Sequence, residues 1–199
     1  DAANVRADAV MHYPITQPTT AIRRYEAGEI DFVLSVPADQ LTRVRRQFGD
    51  QVKVDQGIGV EALAFNVRRG PTRDARVRRA LSMGIDRNQL NETFFLGVGT
   101  PGSAVPGEDS PYFPGKEWRT KYSTLDIAQA NALLDKIGLT KKDSEGFRVR
   151  TDNGERLRIQ IQAVKAFMPW PAHGEMIAQQ WRKIGIWAES KEMERNLAF

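Results

Sequence analysis

The stretch from Ala62 to Arg87 constrains this chain more than any other. An apolar, strand-like run from Val60 to Phe65 ends at Asn66, Gly70-Pro71 forces a turn, and Asp74 is placed to cap a helix. Val77, Ala80, Leu81 and Ile85 then recur at helical spacing, while Arg76, Arg78 and Arg79 fall outside that stripe. Asp86 is placed to cap a second helical stretch with Leu90, Phe94 and Phe95 inward, stopped by Gly97 and Gly99. A strand that runs into a helix with one face to bury belongs in a layered α/β architecture.

The rest of the chain repeats that alternation. Asp8–Ile15 is a short apolar run, and Thr19 or Thr20 is placed to cap a helix carrying Ile22 and Tyr25 and ending at Gly28. Glu29–Leu34 has the bias of a buried strand, a helix from Pro37 and Asp39 carries Leu41, Val44 and Phe48, and Gln51–Asp55 alternates as a strand. This βαβαβ order predicts an α/β layer, with mixed sheets flanked by helices. Gln56-Gly57-Ile58-Gly59 breaks the pattern and suits either a bend or a hinge, so we place a domain boundary near residue 60, with 1–60 on one side and 61–199 on the other.

Further along, Thr100–Trp118 reads as a long irregular loop, and Ser123 with Asp126 resembles a capping box before a helix with Ile127, Ala130, Leu134 and Ile137. Asn153-Gly154 predicts a hairpin between Phe147–Val149 and Leu157–Val164. Ala166–Pro171 reads as an aromatic loop. A helix with Met176, Ile177, Trp181 and Ile184 follows, closed by Gly185, and Ile186–Ala188 opens another strand.

Composition narrows the function. The chain has no cysteine, which removes disulfides, thiolate metal sites and cysteine nucleophiles. Its two histidines, His12 and His173, lie far apart without a partnered acid, and no zinc-ligand spacing, Gly-x-Ser-x-Gly elbow or phosphate-binding glycine loop occurs. We therefore expect no enzyme, no catalytic residue, no metal site and no cofactor. No apolar run reaches the roughly 18 residues that span a bilayer, and any export signal is expected upstream of Asp1. The net charge of +4, with arginines clustered at Arg43–Arg46 and Arg68–Arg79, leaves two readings: solvated helix faces balanced by nearby acids, or a basic nucleic-acid-binding or regulatory domain. No aromatic residues interleave with those arginines as base-stacking platforms.

Ligands of open α/β layers sit beyond the carboxyl ends of strands. Ser35 and Val36 meet that criterion after Glu29–Leu34, where Ser35 either bonds a ligand or caps the next helix. Gly59 and Glu61 flank the crossover, as hinge or as bulge. Phe167, Met168, Trp170 and His173 follow the strand ending at Val164, where aromatic and Met side chains either receive a ligand or fill the local core. Asn66 at a strand end is read as a turn builder.

Four blocks carry a resemblance: Ala27–Asp31 (AGEID), Asp74–Arg87, Ala130–Gly138 and Gln180–Ile186 (QWRKIGI). In this order they resemble the extracellular solute-binding proteins of the peptide/nickel ABC-transporter class. The resemblance implies a periplasmic-binding-protein-like, type II flytrap fold. Residues 1–60 would be the later part of the first lobe and 61–199 the first part of the second, with sequence on either side absent. It implies capture of a small molecule, most simply a peptide, with nickel or a sugar-like solute also within the class. It also implies delivery to a membrane permease, and a periplasmic location or, without an outer membrane, an extracellular tethered one. In peptide-binding relatives the strand-to-helix loop that matches Trp170 faces the cleft. The acidic residue that grips a peptide's amino terminus has no matching position here.

Overall fold

The computed structural model describes residues 6–54, 61–68, 70–164, 168–194 and 196. The chain divides into two compact units, Asp1–Val54 and Asp55–Phe199.

The first unit contains helices α1 (Pro18–Glu26) and α2 (Ala38–Phe48) and a 3-10 turn at Gly49–Gln51. Pro18 starts α1 itself, and neither threonine caps it. The fixed φ of proline suits the first helical turn, where its missing N–H needs no partner. Ile22 and Val44 are the buried apolar residues. Around them Tyr25 meets Phe48 edge-on at 5.2 Å and donates to Gln51 at 2.6 Å, and Arg43 pairs with Glu26 at 2.5 Å. The strands expected at Asp8–Ile15, Glu29–Leu34 and from Gln51 are not formed among the described residues. A strand exists through hydrogen bonds to a neighbour, and none is adjacent here: Phe32 and Leu34 stand 75% and 88% exposed.

The second unit runs α3 (Ala75–Met83), α4 (Arg87–Phe95), α5 (Lys116–Thr120), α6 (Ile127–Lys136), β1 (Arg158–Val164), α7 (Trp170–Trp181) and β2 (Trp187–Met193). Strands β1 and β2 pair in parallel, from Arg158 opposite Trp187 to Val164 opposite Met193, with α7 as the crossover. Along β1 the exposed Arg158, Gln160 and Gln162 alternate with inward Ile159, Ile161 and Ala163, as the sequence predicts. Residues 61–65 form no strand, yet Leu63 and Phe65 pack against the core.

That core joins Val77, Ala80 and Leu81 of α3, Ala130 and Leu134 of α6, and Ile177 and Trp181 of α7, with Ile184 and Ile186 beyond it. Asp74 caps α3 by accepting from the Arg76 N–H at 2.8 Å, and Asp86 caps α4 through Gln89 N–H at 3.0 Å. The α6 cap is Asp126, which accepts from Gln129 N–H at 2.8 Å. Ser123 instead donates to the Arg119 carbonyl, so the expected capping box is not made. Arg119 also straps the proline-rich loop through the carbonyls of Pro106 and Thr100. The hairpin expected at Asn153-Gly154 is reduced to one antiparallel bridge, Val149 with Arg156, because β1 pairs with β2 instead; a second bridge, Lys142 with Arg148, closes the turn before it. Gly174 is where α7 approaches β2 most closely: a Cβ there would lie 2.4 Å from Ser190 Oγ.

Two arginines are built into this packing. Arg148 is 1% exposed; its guanidinium donates to the carbonyls of Ile184 (2.9 Å) and Leu139, to Asp135 (2.5 Å) and to Asn131 (2.6 Å). Arg87 donates to the carbonyls of Ser82 and Ser123 at 2.8 and 2.9 Å and to the Ser82 hydroxyl at 2.8 Å. Burial pulls the Arg87 pKa below its usual value, but an arginine remains charged and its carbonyl partners balance the lost hydration.

Candidate functional site

Helix α7 starts at Trp170, inside the segment read from sequence as loop. Pro169 sits at the N-cap position and Pro171 in the first turn, where no N–H is needed. That early start places His173 in the opening turn, on the side facing α4. Phe94 meets the imidazole edge-on at 3.8 Å between centroids, Phe95 stacks on it at 5.5 Å, and Trp170 tilts against it at 5.2 Å. His173 is 7% exposed, and among the described residues neither Nδ1 nor Nε2 has a hydrogen-bond partner. Burial lowers its pKa, so the ring is neutral near pH 7. Trp170 and Met168 are half-buried. The cluster offers aromatic surface beside an imidazole that has no hydrogen-bond partner among the described residues. These are groups that hold a ligand by contact and by one or two hydrogen bonds.

Of the residues singled out from sequence, Trp170 and His173 come together here and touch, and Met168 precedes them with its carbonyl accepting from Trp170 N–H at 2.8 Å. Phe94 and Phe95, read from sequence only as inward helix residues, are the cage walls; the signal was two consecutive aromatics just before Gly97. Glu61 is exposed in the second unit. Ser35 is exposed and Val36 half-buried in the first unit. Ser35 caps nothing: the N-cap position of α2 is Pro37, which has no side-chain bond. Gly59 and Phe167 lie outside the described residues. Asn66 builds its turn, accepting from Arg68 N–H at 3.0 Å through the side chain and from Thr72 Oγ1 at 2.6 Å through its carbonyl. Among the described residues no group of three or more His, Asp or Glu side chains could hold a metal ion.

A family model described as "Bacterial extracellular solute-binding proteins, family 5 Middle" matches residues 1–199. The chain belongs to this family. The periplasmic murein peptide-binding protein MppA of Escherichia coli K12 is 39% identical over 141 residues, which are 69% of this chain and 26% of that protein. The periplasmic oligopeptide-binding protein OppA of the same organism is 34% identical over 134 residues, 66% of this chain and 25% of OppA. Among solved structures, NikA from Brucella suis in complex with Fe(III)-EDTA superposes with a TM-score of 0.72 at 25% identity, covering 92% of this chain and 37% of that one. The fold is thus part of a type II periplasmic binding protein, and the chain spans about a quarter of the length of MppA and OppA.

Family membership gives the sequence blocks a physical meaning, because two of them are bonded to each other. In the QW block, Trp181 Nε1 donates to the Leu81 carbonyl at 2.9 Å. Gln180 accepts from Asp86 N–H at 2.9 Å and donates to Gln89 Oε1 at 2.8 Å. The Asp74–Arg87 block and the Gln180–Ile186 block therefore form one joint of the solute-binding fold, closed on its other side by Arg87.

Proposed function

We propose that this chain is part of the solute-capture component of an ABC importer. In this reading it holds a solute, most simply a peptide, between two lobes and hands it unchanged to a membrane permease. Residues 1–60 supply the later part of one lobe and 61–199 the first part of the other. The location is periplasmic, or extracellular and tethered in an organism without an outer membrane. Family membership over residues 1–199 carries this reading. It is supported by MppA and OppA, whose names give murein peptide and oligopeptide as ligands, and by the cage at α7, which offers contact surface rather than a partnered nucleophile or base.

The family gives the basic-domain alternative no support, and several arginines are used within the fold. Arg43, Arg76, Arg148, Arg150 and Arg156 are each paired with a carboxylate, and Arg78, Arg87 and Arg148 hold backbone carbonyls. The deciding experiment measures thermal stabilisation of the protein by short peptides and by oligonucleotides at low and high salt. The solute-capture reading expects a peptide-dependent rise in Tm that changes little with salt. Stabilisation by oligonucleotide that collapses with salt would support the alternative.

A further inference from the structure

A cavity of about 280 Å³ opens between α3 and the turn after α5, lined by Ala75, Arg78, Arg79, Ser82, Lys121 and Tyr122. It lies outside the cage at α7. Among the described residues, Arg78, Arg79 and Lys121 form no ion pair, unlike Arg43, Arg76, Arg148 and Arg156, and no carboxylate lines the cavity. Like charges gathered around one cavity repel unless an anion balances them. Asp74, whose carboxylate Arg78 also stabilises at a distance, is already bonded to the Arg76 guanidinium at 2.6 Å.

The cations are also held in place. Arg78 is anchored through one nitrogen by the carbonyls of Thr72 and Arg73 at 2.8 and 2.9 Å. Arg79 lies over the Tyr122 ring at 4.8 Å, and the Lys121 ammonium lies 3.9 Å from the Trp118 ring. Tyr122 takes φ 57, a left-handed conformation that costs a non-glycine residue energy and that here accompanies its ring contact with Arg79. Ser82 Oγ accepts from Arg87, which leaves its O–H as a donor.

We propose that this cavity binds a phosphoryl group, taken either from free phosphate or from the headgroup of an anionic phospholipid. Three cations and a hydroxyl donor match the several acceptor oxygens of a phosphoryl group, a monoanion in a phosphodiester headgroup and largely a dianion in free phosphate, better than a single carboxylate, and arginine guanidinia suit that geometry. The site stands independently of the solute reading, and peptide binding measured in the same samples reports on that reading separately.

The test titrates inorganic phosphate into the full protein by calorimetry. In parallel, it measures co-sedimentation with vesicles of equal parts phosphatidylglycerol and phosphatidylcholine, against phosphatidylcholine alone. Saturable phosphate binding, weakened about tenfold or more in the double variant Arg79→Gln, Lys121→Gln and retained in Arg79→Lys, is the expected result. The phosphate-free Tm of the variants should match the parent, because both side chains are exposed. Co-sedimentation that the double variant loses assigns the source to a lipid headgroup; phosphate binding without it assigns a soluble source. No saturable binding of either probe, or equal binding by parent and double variant, overturns the proposal.

Discussion

His173 is the residue whose protonation the fold opposes. Buried among Phe94, Phe95 and Trp170, with neither nitrogen hydrogen-bonded among the described residues, it is held neutral, so its folded pKa lies below the unfolded value of about 6.5. Above that value both states are neutral and stability is complete. As pH falls below it, the unfolded chain takes up a proton that the folded one refuses, and stability is lost until pH passes the folded pKa. Thermal denaturation between about pH 7.5 and 5.5 should show a loss of at most about 1.4 kcal/mol per pH unit that His173→Phe flattens. An unchanged slope would mean that protonation at His173 is tolerated. Trp170 differs because it is half-buried in the same cluster. Trp170→Ala should weaken ligand binding about tenfold or more while shifting Tm by only a few degrees. A large fall in Tm with unchanged affinity would make Trp170 a core residue.

Elements here are decided by their joints. Arg148 binds α6 through the Asn131 and Asp135 side chains, and the Leu139 turn and the segment after α7 through the carbonyls of Leu139 and Ile184. Arg148→Met should therefore cost about 3 kcal/mol in urea denaturation, and Arg148→Lys should recover little of it, since an ammonium cannot reach four acceptors at once. A variant within about 0.5 kcal/mol of the parent would show that those carbonyls find other partners. Helices were legible from sequence wherever a cap and an apolar stripe coincided, as at Asp74 and Asp86. Strand β1 was legible because polar and apolar residues alternate along it. Glu29–Leu34 misled because an apolar run states a preference, whereas a strand also needs a neighbour, and its partner is not encoded locally. The cage was half legible: Trp170 and His173 share a short segment, but Phe94 and Phe95 reach them only by tertiary packing across a long separation. Arg148 was invisible, because nothing in its neighbours marks a buried guanidinium.

For the whole molecule, family membership and internal use of the arginines point the same way. Pairing with carboxylates cancels the charge of Arg43, Arg76, Arg148, Arg150 and Arg156, so the net charge of +4 resides on cations outside those pairs. The central claim is that a solute is enclosed by contact and released without chemistry. Calorimetric titration of short peptides into the protein, with mass spectrometry of the peptide recovered afterwards, tests this most directly. Saturable binding at one site with the peptide returned intact is the predicted result; cleaved or modified peptide, or no saturable binding of any peptide, would contradict it.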